Sequence, residues 1–359
     1  MDPKVIANLA GRLMRCPAAP YHEQAVRAEA ERICAENGLD FKRDRFGNLL
    51  VRLRTAPRKR PLVLAAHLDH PGFSIIRRLS ASRWLARFDG GVPEHFFRSG
   101  VPLRLLPGLT AARLNRRKGK EKIFEIRALR PLPSPPSFAV WELEDFALRQ
   151  EKIYGRACDD LIGVASALAT LIELKRTKAR VNCIAVLSRA EEVGFHGALT
   201  VANSRALPKN SLVISLETSR ELPGVKMGKG VIVRVGDRTS IFNSEATRFL
   251  LEVGTELKLR QKSFQFQRGL MSGGTCEATA YQEFGFVTAA VCVALGNYHN
   301  CASDHRIKAE YVSLGDASDM VALLVSAAKQ MPRYPTMTSK LPARLKRMLR
   351  EAMTKLPEG

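Results

Sequence analysis

Four short apolar runs constrain the fold of this chain more than any other feature. They are PLVLAAH (61–67), VNCIAVLS (181–188), SLVISLE (211–217) and FVTAAVCVAL (286–295). Each is almost continuous in aliphatic residues and lacks the in–out alternation of a half-exposed strand. Such runs mark strands covered on both faces. Segments of helical periodicity separate or follow them: 160–176, 191–204, 244–257, 275–285 and 316–331. Upstream, 22–38 reads as a helix that stops at Gly38, and 45–53 as a strand. Weaker strands are expected at 230–236 and 263–267. Helices alternating with buried strands predict an α/β fold, with a mostly parallel or mixed sheet flanked by helices.

The texture changes after Gly72. Residues 73–150 hold short mixed runs (IIRRL, WLARF, ARLN, IFEIRAL), a Gly90-Gly91 pair, a basic turn at 115–120 and a Pro-rich bend at 131–137. This stretch reads as a small β-rich domain inserted into the α/β domain, which then comprises 1–72 and 151–359. The last part, 333–359, stays with the α/β domain. Within it, ARLKRMLREAMTKL (343–356) is a basic amphipathic helix that can pack on the domain or on a neighbour.

Composition narrows the class further. Of 359 residues, 45% are apolar, enough for a sizeable core. Lys and Arg exceed Asp and Glu by 57 to 35, a formal charge of +22 that favours anionic partners. No helix-turn-helix, zinc-finger spacing or Arg-Gly repeat accompanies that charge, so nucleic acid is not expected as a partner. The seven cysteines are odd in number and form no repeated close pair, which suits a reducing compartment. There is no signal-peptide core and no run near the ~20 apolar residues of a membrane span. A cytoplasmic protein with no membrane contact is expected.

The polar residues at the ends of the apolar runs carry the chemistry. PLVLAA runs into His67-Leu68-Asp69-His70, NCIAVLS into Arg189-Ala190-Glu191-Glu192, and SLVISL into Glu217; AAVCVALGNY runs into His299. Asp159-Asp160 directly precedes a helix. In open α/β sheets, ligands bind beyond the carboxyl ends of the strands, so these distant groups converge on one edge. Asp69, two residues after His67, falls on the same side and can orient its imidazole. Glu191 and Glu192 cannot face the same way, which suits separate roles, one binding a metal and one handling protons. An unpaired carboxylate after an apolar run, as at Glu217, is costly unless something compensates it. Imidazoles with carboxylates suit Zn, with Co or Mn as alternatives. The candidate ligands exceed one ordinary zinc site and fit two divalent ions if one carboxylate bridges.

At these residues the chain resembles the co-catalytic metallo-aminopeptidases, and within them the M42 family of glutamyl and deblocking aminopeptidases. The matching stretches, in order, are AAHLDHPG (65–72), GRACDDLIG (155–163), SRAEEVGFHGA (188–198), SLET (215–218), SGGTCEATAYQEFG (272–285) and NYHN (297–300). The resemblance implies that His67 and Glu217 hold one ion, that Glu192 and His299 hold the other, and that Asp159 bridges them. It implies Glu191 as the general base acting on a metal-activated water, with Asp69 supporting His67. It implies that the insert between Asp69 and Asp159 shapes assembly and access. Two divalent ions per subunit, short peptides as substrates and a homo-oligomer from dimer to dodecamer follow from the same likeness.

Several positions depart from the family pattern. Glu217 stands where many aminopeptidases carry Asp, and Glu there also occurs in carboxypeptidases and deacylases. TCEA (275–278) replaces Thr-Asp-Ala, which makes Glu277 a second candidate anchor for a substrate amine. Cys158 beside Asp159 offers a stray thiol donor. A carboxypeptidase or N-acyl-amino-acid hydrolase using the same ions is therefore the alternative reading, and an inactive binding protein is the alternative of another class.

Overall fold

The computed structural model describes residues 2–117 and 121–356; the basic turn expected at 115–120 lies partly outside them. The chain opens with helices α1 (Pro3–Met14) and α2 (Gln24–Glu36), followed by strands β1 (Asp40–Arg43), β2 (Leu49–Arg54) and β3 (Leu62–His67). Six short strands come next: β4 (Gly72–Ser80), β5 (Arg83–Asp89), β6 (Pro102–Leu106), β7 (Thr110–Arg117), β8 (Ile123–Ala128) and β9 (Phe138–Trp141). Then come β10 (Ala147–Arg149), β11 (Lys152–Gly155), α3 (Cys158–Arg176), β12 (Asn182–Ser188), α4 (His196–Ala202) and β13 (Leu212–Arg220). The remainder is β14 (Val231–Gly236), α5 (Ser244–Arg260), β15 (Phe266–Leu270), α6 (Glu277–Glu283), β16 (Val287–Gly296), β17 (Glu310–Ser313), α7 (Leu314–Gln330) and α8 (Tyr334–Lys355).

The four apolar runs lie side by side. β12, β3, β13 and β16 are adjacent and parallel at the centre of a large sheet. Antiparallel strands flank them, β2 and β1 on one side and β17, β11 and β10 on the other, so the sheet is mixed. Alternate residues of each strand enter different cores, as the two-residue period requires. Leu62, Leu64 and Ala66 pack with α1, α3, α5 and α7, whereas Val63 and Ala65 pack with α4 and α6. Helices thus cover both faces.

Helix α1 carries start signals and an apolar stripe in its own sequence. Asp2 caps it by accepting from the Lys4 N–H at 2.9 Å, Pro3 occupies its first turn, and Ile6, Leu9, Ala10 and Leu13 form its buried stripe.

Strands β4 to β9 close into a barrel. Its core is aromatic, with Phe73, Trp84, Phe88, Phe124 and Trp141 all buried. The barrel strands end at Trp141, so the last part of the expected 73–150 insert is not barrel: β10 pairs with β11 and extends the large sheet. The connecting residues Gln150 and Glu151 have φ of 48° and 58°, as a two-residue hairpin turn needs. Neither is the Gly or Asn usual in such turns, so the sequence carried no hairpin signal there.

Candidate active site

The parallel alignment of the central strands brings their carboxyl ends to one edge. β3 ends on His67, paired in register with Ser188, the last residue of β12. Glu191 and Glu192 follow in a turn ahead of α4, not within its helix. β13 was expected to end at Glu217 but continues to Arg220, so Glu217 projects from within a strand. β16 ends at Gly296, and His299 sits in a loop turn beyond it. Asp159 lies in the first turn of α3 with extended backbone angles, and its peptide bond to Asp160 is cis.

These residues surround one cleft with about 480 Å³ of empty space, lined by His67, Asp159, Glu191, Glu192, Glu217 and His299. His67 Nε2 lies 3.5 Å from Asp159 Oδ1, 3.9 Å from Glu191 Oε2 and 4.0 Å from Glu217 Oε2. His299 Nε2 lies 3.5 Å from Asp159 Oδ2 and 3.2 Å from Glu192 Oε1. Three sets of donor atoms within 4.8 Å of one another result among the described residues, His67–Asp159–Glu217, Asp159–Glu192–His299 and His67–Glu191–Glu192, and the first two share Asp159.

The surrounding residues fix these side chains. His67 Nδ1 meets the main-chain oxygen of Asp69 at 3.1 Å, while the Asp69 carboxylate stands off at 3.7 Å. That carboxylate instead accepts the main-chain N–H groups of Glu191 and Glu192, at 3.0 and 3.1 Å. Asp69 therefore orients the imidazole through its backbone and the Glu191–Glu192 turn through its side chain. On the other side, His299 Nδ1 lies 2.7 Å from the Gly91 carbonyl, on the barrel segment.

Two supporting residues escaped sequence reasoning. Glu310 accepts the main-chain N–H of both Asp159 and His299, at 3.0 and 2.8 Å. His70, left out of the expected site, reaches the Asp159 carbonyl at 2.7 Å and Asn300 at 3.0 Å. No pattern marked Glu310, which starts a short strand with no apolar run. His70 sat in the HLDH stretch and had a visible signal. Two expected contributors lie elsewhere. Glu277 is fully buried, accepts from Ser188 Oγ at 2.5 Å and does not line the cleft. The Cys158 thiol packs in the main core.

The electrostatics call for added positive charge. Four carboxylates, Asp159, Glu191, Glu192 and Glu217, face two imidazoles. Burial, only partly opposed by His67, pushes the Glu217 carboxyl up to about 8 and that of Glu191 well above the usual range. Burial acts the same way on Asp159, but hydrogen bonding to His299 and His67 outweighs it and holds that carboxyl low. Burial disfavours charge on the imidazoles too, yet Glu191 beside His67 and Glu192 beside His299 raise both. Asp159 Oδ1 and Glu192 Oε1 are buried without a well-formed hydrogen bond, a costly state for carboxylate oxygens. Oxygen and imidazole donors in two sets sharing one carboxylate are the donor chemistry of paired divalent ions.

A sequence profile of the M42 glutamyl aminopeptidases matches residues 134–314, half of the chain, including every one of these donors except His67. The chain belongs to the M42 family. It is thus a metal-dependent exopeptidase. The fold agrees with solved structures of low identity. An aminopeptidase from a marine-sediment thaumarchaeon superposes with a TM-score of 0.77 at 19% identity, covering 94% of this chain and 100% of the other. One from Desulfurococcus kamchatkensis gives 0.76 at 19%, covering 93% and 98%. The Pyrococcus horikoshii TET1 peptidase, described as assembling into a tetrahedron or an octahedral shell, gives 0.74 at 22%, covering 90% and 99%. No curated protein matches the chain.

The lining of this M42 cleft also carries positive charge. Arg220 and Arg234 contribute it, with Leu222, Met271 and the Gly273–Thr275 turn beside them. Arg234 is buried, its Nε has no hydrogen-bond partner among the described residues, and its charge acts on the Glu217 carboxyl. Arg220 lies over Gly273, where a Cβ would stand only 3.0 Å from its Nε.

Proposed function

We propose that this M42 aminopeptidase removes acidic N-terminal residues from short peptides. His67 and Glu217 would hold one divalent ion and Glu192 and His299 the other, with Asp159 common to the two donor sets. Zinc suits these donors, and cobalt or manganese fits them as well. The observation that carries the reading is the pair of donor sets meeting at Asp159. When bound, such ions lower the pKa of a water and polarise the scissile carbonyl.

The remaining work belongs to the chain. Glu191, in the cleft beside His67, accepts the proton of the attacking water and returns it to the leaving amine nitrogen. Burial raises its proton affinity above that of an ordinary carboxylate, as suits a group that takes up a proton. Asp69 holds the turn that carries Glu191 through its main-chain N–H. The carboxylates attract the free amine of the peptide. Arg234 and Arg220, in the same cleft, receive an acidic first side chain. The barrel limits access, subunits associate as in the assembling TET1 peptidase, and the enzyme works in the cytoplasm.

A panel of aminoacyl-nitroanilides and N-acetyl amino acids, run with the Zn, Co and Mn forms, tests this. Glutamyl- and aspartyl-nitroanilide are cleaved best, and Glu191→Gln lowers turnover about 10²–10⁴-fold while metal content stays the same. Cleavage of the acetylated compounds alone would sink the aminopeptidase reading, and full activity in Glu191→Gln would remove the assigned base. Arg234→Met raises KM for the glutamyl substrate while leaving leucyl turnover intact. Equal effects on both substrates would refute the acidic pocket.

A further inference from the structure

Helix α8 begins as part of the body and ends outside it. Tyr334 and Met337 are buried in the main core, Tyr334 packs on Phe249 at 5.2 Å, and Arg333 pairs with Glu256 of α5 at 2.9 Å. From residue 341 onward the side chains leave the body. Leu341, Leu345, Met348, Leu349, Met353 and Leu356 are 44–74% exposed, and none belongs to a core cluster. At 3.6 residues per turn the five within α8, Leu341 to Met353, fall within an arc of about 140°. Isolated apolar side chains on a surface need no explanation, but five on one stripe of one helix do.

The charges bordering the stripe indicate what covers it. Over 341–356 the basic residues are Arg344, Lys346, Arg347, Arg350 and Lys355, and the one acidic residue is Glu351. On the helical wheel Lys355 and Arg344 border the arc on one side, and Lys346 and Arg350 on the other. A second copy of the helix laid against this stripe would set cationic flanks against cationic flanks, with too little acid to offset them. A flat anionic surface with an apolar interior meets both requirements at once. The leucines and methionines enter the acyl boundary, and the long basic side chains reach back to the headgroups. No helix among the described residues is long and apolar enough to cross a membrane, so the contact lies along the surface.

We propose that α8 is a membrane-surface anchor, which seats the peptidase on anionic lipid through the Leu341–Met353 stripe and its basic border. The anchor is independent of the hydrolytic chemistry, since none of its residues lines the cleft.

Flotation of the full chain with vesicles tests it, comparing pure phosphatidylcholine with an equimolar phosphatidylcholine–phosphatidylglycerol mixture. The protein floats with the mixed vesicles only, and added salt weakens the binding. The double variant Leu345→Gln/Leu349→Gln keeps the charge and loses binding by roughly tenfold or more. Unchanged hydrolysis of a glutamyl-nitroanilide shows that this exposed-site variant is folded. Equal flotation of wild type and variant would reduce the effect to the bulk charge of the chain and overturn the anchor. So would failure to float with either vesicle. A wild-type chain that sediments as a larger species than the variant, without lipid binding, would assign the stripe to a second copy instead.

Discussion

His67 and Glu217 reach the cleft from neighbouring parallel strands, whereas His299 reaches it from a loop. The first pair stands on β3 and β13 in the middle of the sheet, His67 paired in register with Ser188 of β12 and Glu217 with Cys292 of β16. The loop residues Asn297, His299 and Asn300 have φ of 54°, 53° and 64°, the left-handed region that non-glycine residues seldom occupy. Such a conformation costs roughly 1–3 kcal/mol and persists only where its surroundings over-determine it. Glu310 and the Gly91 carbonyl supply that constraint, one from β17 and one from the barrel segment. The difference teaches that one half of the proposed metal site is inherited from the sheet, while the other is assembled by distant parts of the chain.

Asp159 joins the halves, so its loss has the largest effect. Asp159→Asn empties both positions, and metal analysis after dialysis against zinc finds well under one ion per chain. Retention of one tightly held ion would show that the halves are separate sites. Glu310→Gln separates them next. The His299 half loses about 10–100-fold in metal affinity, as expected for a supporting hydrogen-bond partner, and the His67 half changes far less. Titration with a coloured chelator reads both steps, and equal weakening of the two would erase the distinction drawn here.

The pH dependence of loading sharpens the contrast. Burial pushes the metal-free Glu217 carboxyl up to about 8, so at neutral pH it holds a proton that the ion must displace. Despite its burial, neighbouring carboxylates favour a proton on His67 as well, so affinity in the His67 half rises as pH increases from neutral and falls as pH drops. Calorimetry in two buffers of different ionisation heat measures the proton released, and none released at pH 7 would contradict the assignment. The smallest effect is expected at Gly91, whose Cβ would meet the His299 ring at an ordinary 3.4 Å. Gly91→Ala changes turnover by less than about threefold, because the carbonyl, not a side chain, makes the bond.

The same contrast explains what the sequence disclosed. The central strands, the helices between them and the switch to short β segments after Gly72 were readable because their burial leaves a periodic trace. His67, Glu217 and the Glu191–Glu192 pair stood out because they interrupt or follow apolar runs. Glu310, the Gly91 carbonyl and the main-chain oxygen of Asp69 did not. A backbone carbonyl has no letter of its own, and Glu310 gains its place only when β17 pairs with β16 and β11. Glu277 misled for the opposite reason. Its position in the motif suggested the cleft, but the helix that carries it turns the carboxylate inward to Ser188.

The 2.7 Å contact between His299 and Gly91 gives the barrel a second duty. A chain whose barrel has not yet settled on the α/β domain has a complete His67 half and an unsupported His299 half. The His299 ring is thus held across the seam between barrel and α/β domain, and the two regions of the chain share the construction of one cleft.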